Sequence, residues 1–268
     1  MHKLILVGWM GMASLTWAQT TNAPAGGDKP DIIKAMQHLK LPPEMAAKIK
    51  SGEIVAPEVS DSGDKELAVR LVMLVKASPD QLKEFITADN LMGKDPTFAA
   101  SGQLSPDAPK FEPIKLTPAE AMDYLSAELG NDFNFHTDDY AKLKAAKKSV
   151  KDDSQAPAVA AKVLAEILTQ RFQAYRQAGI GAVAPYARGD GKFSEPGDEL
   201  LNAMLASPVL QNAAPDAFVA FRDFPGGPSD GVLHEFFWSQ QKVEDKPAFI
   251  LSHRMTYPMK NGVVYLDR

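Results

Sequence analysis

The sequence predicts an α+β fold: an antiparallel sheet built from N- and C-terminal strands and packed against a mainly helical middle. Three observations predict it. Apolar residues alternate with period two near both ends, at 66–77 and again beyond residue 232. Between those stretches lie Thr117-Pro118-Ala119-Glu120, a capping-box helix opening, and a long Ala- and Leu-rich segment at 156–178. Close to the end, Asn261-Gly262 is the strongest short signal for a β-hairpin turn.

Residues 1–18 read as a cleavable secretory signal peptide. His2 and Lys3 give a positive start, Leu4 to Trp17 is an apolar run, and Ala18 offers the small residue after which cleavage is expected. The run falls short of the roughly 20 apolar residues that a membrane-spanning helix needs. The mature protein is therefore expected to be exported and soluble, with no stable membrane span after cleavage: periplasmic in a Gram-negative cell, secreted otherwise. Residues 19–30 are rich in Thr, Ala, Gly and Pro, have no apolar period, and are expected to be a disordered lead-in. Residues 31–268 then form a single α+β domain, with a division near residue 113 as the alternative.

Composition narrows the chemistry. The absence of Cys from all 268 residues excludes disulfides, thiol catalysis and thiolate metal sites. A formal net charge of −5, with no basic stripe, weighs against a nucleic-acid partner.

Each element has a local cause. Ile32, Ile33, Met36 and Leu39 fall on one helical stripe that Pro42-Pro43 ends, and a second short helix reaches Lys50 before Ser51-Gly52 breaks it. Residues 53–59 and 66–77 read as strands joined by Asp61-Ser62-Gly63-Asp64, with Leu67, Val69, Leu71, Met73 and Val75 on the core face of the longer one. Ser78-Pro79-Asp80-Gln81 opens a helix: Ser78 caps an N–H, Pro79 has none to satisfy, and Gln81 reaches back. Residues 97–104 suggest another strand, and 105–113, with three prolines, a loop. The helix opened at Thr117 carries Met122, Leu125 and Leu129 on one stripe and is expected to end at Gly130. A further helix begins after Thr137, and Lys142, Lys144, Lys147, Lys148 and Lys151 complement the dipole at its end. The helix at 156–178 stops at Gly179. Residues 179–197 hold five glycines and two prolines and are expected to be a long irregular loop, of the kind that serves as a lid or binding segment. An acidic first turn after Ser194 starts a short helix running to about Ala206. Strands at 232–243, 247–258 and 263–266 complete a C-terminal meander.

The search for chemistry proceeds largely by exclusion. His234-Glu235 begins like the zinc-protease helix motif, but Trp238 stands where the second His is required. With Asp245-Lys246 as the turn, His234 pairs with Tyr257 and His253 with Trp238, which sets the two imidazoles about 13 Å apart, too far to share a metal. Both are expected to be structural ring partners beside Phe236, Met255 and Tyr257. The opposite face carries Glu235 and Phe237 with Arg254 and Thr256, and makes Glu235–Arg254 a diagonal surface ion pair. If that face lines a cavity, Arg254 is the natural anchor for a carboxylate or phosphate. No Gly-x-Ser-x-Gly elbow occurs, Ser239 and Lys242 fall on opposite strand faces, Ser62 and Lys65 sit in a turn, and Gly191-Lys192 is followed by Phe193 rather than Ser or Thr. No catalytic, metal or cofactor set is complete. Arg188-Gly189-Asp190 spells the tripeptide displayed by integrin ligands, yet turn composition alone accounts for its Gly and Asp. The candidate ligand-binding side chains are therefore Arg254, Glu235 and Phe237 on the sheet, with Tyr186, Arg188 and Phe193 on the loop.

The order of hairpin, Ser-Pro-capped helix at Ser78 to Ile86 and late meander resembles the helix-grip lipid-transfer fold of the START-like superfamily over about half the chain. That family closes its cavity with a long C-terminal helix. Here the chain ends in a strand, so the 156–178 helix has to substitute. The resemblance implies an apolar cavity. Together with the missing catalytic sets, it leads to the expectation of an exported, non-catalytic protein that binds an apolar or amphiphilic, lipid-like small molecule between sheet and helices. The alternatives are a cell-envelope protein–protein interaction or scaffold protein and, third, a hydrolase working through His234, Glu235 or His253.

Overall fold

The computed structural model describes residues 4–9, 14–18, 41–58, 70–75, 81, 84, 98–130, 132–206, 211–212, 214–243, 246–259 and 262–267. They form helices and antiparallel strands, the mixed α+β composition the sequence predicts. The chain builds two compact units. One takes Met1–Leu91, Leu201–Glu235 and His253–Arg268, the other Met92–Leu200 and Phe236–Ser252.

In the first unit, β1 (Leu4–Trp9), β2 (Ser14–Ala18), β3 (Arg70–Val75), the end of β8 (Lys246–Met259) and β9 (Gly262–Asp267) lie in the order β3-β1-β2-β9-β8, with antiparallel pairing throughout. Strands from the two ends of the chain thus share a sheet. Leu6 stands opposite Met73, Thr16 opposite Tyr265 and Arg254 opposite Asp267. The segment read as an export leader supplies β1 and β2; its largely apolar character suits strands with neighbours on both sides. The strand expected at 53–59 is reduced, among the described residues, to one bridge in which Val55 and Val72 exchange hydrogen bonds of 2.9 and 2.8 Å. Helix α1 (Pro43–Ser51) opens on a proline and closes on Gly52 at φ 94°, which leaves Ile49 buried. The lead-in at 19–30, the helix at 32–39, the turn at 61–64 and the helix start at Ser78-Pro79 lie outside the described residues, although Gln81 and Glu84 are helical.

In the second unit, β4 (Phe98–Gln103) pairs with β7 (Leu233–Val243), and the order is β8-β7-β4. Gly102 faces Trp238, and the indole lies so close that a Cβ on Gly102 would stand 2.9 Å from Nε1. Phe111 meets the same indole edge-on at 5.8 Å. Helices α2 (Pro118–Leu125), α3 (Thr137–Lys147) and α4 (Ala156–Ala178) enclose Leu125, Leu143, Leu164 and Ile167, together with the rings of Tyr124, Phe135 and Tyr140. Thr117 caps α2 as its sequence predicts. The helix ends at Leu125, however, short of Gly130, because the Ser126 and Ala127 N–H groups close its last turn; Leu129 is left exposed. Helix α3 has a capping box that the sequence reading did not foresee: the His136 ring accepts from the Asp138 N–H, and the Asp139 carboxylate accepts from the His136 N–H.

Residues 179–197 are not the irregular loop expected. A 3₁₀ turn at Ile180–Ala182 is followed by a hairpin of β5 (Tyr186–Gly189) and β6 (Lys192–Ser194), after which α5 (Pro196–Leu205) begins. The cause is Asp190-Gly191, whose φ values of 50° and 69° are those of the tight turn that fits the twist of paired strands.

Candidate functional site

Of the expected sheet residues, Arg254 and Glu235 belong to the first unit and Phe237 to the second. His234 Nδ1 lies 2.9 Å from His253 Nε2, which corrects the separation of about 13 Å expected from the sequence. The reason is the strand bounds. β7 ends at Val243 and β8 begins at Lys246, so the chain reverses one residue earlier than an Asp245-Lys246 turn requires. The pairings slide by two residues, and each side chain keeps its face. Phe224 packs at a tilt against both imidazoles, at 4.9 and 4.5 Å, and Phe221 of α6 (Pro215–Arg222) lies 5.2 Å from His253, which is only 2 % exposed.

Because the two histidines meet on one face, Glu235, Arg254 and Thr256 occupy the other. On that face Arg254 and Thr256 are buried and Glu235 is partly exposed, which corrects the expectation of an ion pair lying wholly at the surface. Arg254 is 7 % exposed, and Glu235 Oε2 and Thr256 Oγ1 are shut off from solvent without a hydrogen-bond partner among the described residues. In the second unit, Phe237 is likewise buried, across the ladder from Gln103.

The expected loop residues sit on the β5–β6 hairpin. Arg188 is tied into the fold. Its Nε donates to Ser194 Oγ at 2.5 Å, Nη1 to the carbonyls of Gly130 and Phe133 at 3.4 and 3.2 Å, and Nη2 to Asn134 Oδ1 at 2.7 Å. A guanidinium engaged at all three nitrogens is not displayed as a recognition tripeptide requires. Tyr186 stacks with two guanidinium groups, Arg171 at 5.2 Å and Arg188 at 5.4 Å. Phe193 is 51 % exposed.

Open space lies elsewhere in the second unit, at residues the sequence reading did not single out. One groove of about 680 Å³ runs along α4 against residues 109–114, floored by Phe111, Ile114, Ala158, Ala161 and Ala165. A second, of about 550 Å³, lies between the sheet residues Ala99, Gln240, Gln241 and Lys242 and the helices α2 and α4. Ala158, Ala161 and Ala165 share one side of α4, and their small side chains leave the depression. Both grooves touch Ile114, Ala158 and Ala161 and so adjoin there, and the segment Ile114-Lys115-Leu116 lines the second. Gln240, 2 % exposed, holds this segment in place: its Oε1 accepts from the Lys115 N–H at 2.9 Å, and its Nε2 donates to the Lys115 carbonyl.

Glu120, on the wall of the second groove, is part of the α2 cap. Its Oε2 accepts from the Thr117 N–H at 2.7 Å and from Thr117 Oγ1 at 2.9 Å. The backbone N–H of Thr117 is the main reason its carboxyl stays below the usual carboxylate range; the Thr117 hydroxyl and the charge of Lys242 add to this, and burial opposes it.

Among the described residues, no group of three or more His, Asp or Glu is placed to hold a metal ion, and no helix is long and apolar enough to cross a membrane. No family model, no characterised protein and no solved structure matches the chain.

Proposed function

We propose that the mature chain is an exported, non-catalytic protein that binds a small amphiphilic molecule in the adjoining grooves of its second unit. The observation that carries this reading is the pair of grooves meeting at Ile114, Ala158 and Ala161. Each has the volume of a small-molecule site, about 300–1,000 Å³, and each combines an apolar floor with a polar rim. The second groove lies between strands and helices, where the sequence led a ligand to be expected. The helix-grip resemblance points the same way by implying an apolar cavity, and the leader-like residues 1–18 support export.

Native mass spectrometry of the purified protein, before and after exposure to a lipid extract, tests this. Wild type is expected to retain or acquire a ligand. Ala161→Trp, which fills the wall common to both grooves, is expected to lose it while keeping the wild-type circular dichroism. A wild-type chain that takes up nothing, or a variant that binds as well as wild type, would sink the reading.

A second reading, a cell-envelope interaction protein, is favoured by the exposed Phe193 on the hairpin beside exposed Lys192. It predicts a stoichiometric protein partner in a crosslinked pull-down, lost in Phe193→Ser.

A further inference from the structure

We infer that the ligand is an anionic amphiphile whose carboxylate or phosphate head lies in the second groove; this rests on the binding reading above. The charged side chains lining that groove are Lys115, Glu120 and Lys242. The single carboxylate, Glu120, takes two hydrogen bonds from Thr117 at the start of α2 and keeps its charge, so the lining carries two positive side chains against one negative. The two lysines are exposed on the rim, and the backbone of each is fixed, Lys242 by its place in β7 and Lys115 by the Gln240 amide. Both side chains thus line one opening from anchored backbone positions.

The rest of the lining is apolar or neutral, with Ile114, Leu116, Pro157, Ala161 and Pro247 among it. The first groove differs in charge. There Lys110 and Lys162 are matched by Glu112 and Glu166, so it has no preference for either sign. An amphiphile is thus oriented: head at Lys115 and Lys242, alkyl chain along the Ile114, Ala158 and Ala161 wall toward the first groove. Two exposed ion pairs of ordinary strength together amount to about a tenfold difference in affinity, and salt weakens it.

Calorimetric titration of the full chain with dodecanoate, dodecyl phosphate, dodecanol and dodecyltrimethylammonium, each below its micellar concentration, reads this directly. Both anions are expected to bind about tenfold more tightly than the alcohol, with the cation weakest; the stronger anion identifies the head group. In the Lys115→Gln, Lys242→Gln double variant the anions are expected to fall to the level of the alcohol, while the alcohol binds as before. Wild-type affinity for the alcohol or the cation equal to that for the anions, or a preference that survives the double substitution, overturns the inference and leaves amphiphile binding standing. Failure of all four probes to bind takes down amphiphile binding itself, and the inference with it.

Discussion

Thr117 and Glu120 show what a few side chains do for one helix end. Each satisfies an N–H in the other's segment that would otherwise face α2 without a partner. Glu120 is held below its ordinary carboxylate range, so the folded state favours its charged form. The resulting stability is fully present above the unfolded value of about 4.3 and disappears as pH falls through the lowered folded value. Replacing Thr117 by Ala is expected to cost about 1 kcal/mol near neutrality, and part of that difference from wild type should vanish in acid; urea unfolding curves at the two pH values measure it. A loss of equal size at both would mean that the carboxylate takes no part. This cap was legible in the sequence because Thr-Pro-x-Glu states both halves of the exchange. The His234–His253 contact was not. Alternation fixed which side chains share a face, but the distance along the ladder depended on where the chain reverses, and one residue of turn placement separated about 13 Å from a hydrogen bond.

At the level of elements, the β5–β6 hairpin shows where pattern reading fails. Strands of four and three residues are too short to display a period, and the glycines around them suggested an irregular loop. The Asp190-Gly191 pair was the available signal, since both positions need positive φ and these two residue types tolerate it. Gly191→Ala is expected to destabilise the protein by about 1 kcal/mol, the approximate cost of placing a Cβ in the left-handed region, and to speed amide exchange at Tyr186–Gly189. A neutral substitution would show that the turn does not hold the hairpin. The grooves were illegible for a different reason. Their walls come from Ala99, from residues 109–120, from α4, from residues 240–242 and from Pro247, and are mostly Ala, Lys, Gln, Pro and Glu, a set without spacing that marks a site in one dimension.

For the molecule as a whole, export and the first unit bear on each other. Cleavage after Ala18, as proposed, would remove β1 and β2, which stand between β3 and β9 in that unit. Intact-mass measurement of the protein recovered outside the cytoplasm is expected to give a chain beginning at Gln19. In that chain, amides of Arg70–Val75 are expected to exchange faster than those of β7 opposite β4, whose pairing the cleavage leaves untouched. A recovered chain that still carries Met1 would overturn cleavage after Ala18 and keep the strand pair. The α+β composition could be read from alternation and capping, which are local properties of the chain; the sheet that joins its ends could not, because β1 and β2, which link β3 to β9, come from the segment read as a leader. The Gln240 amide has one more effect. A primary amide neither gains nor loses a proton across the physiological range, so the hold of Gln240 on Lys115 is indifferent to pH, whereas the Glu120 carboxylate on the wall of the second groove gives up its charge in acid.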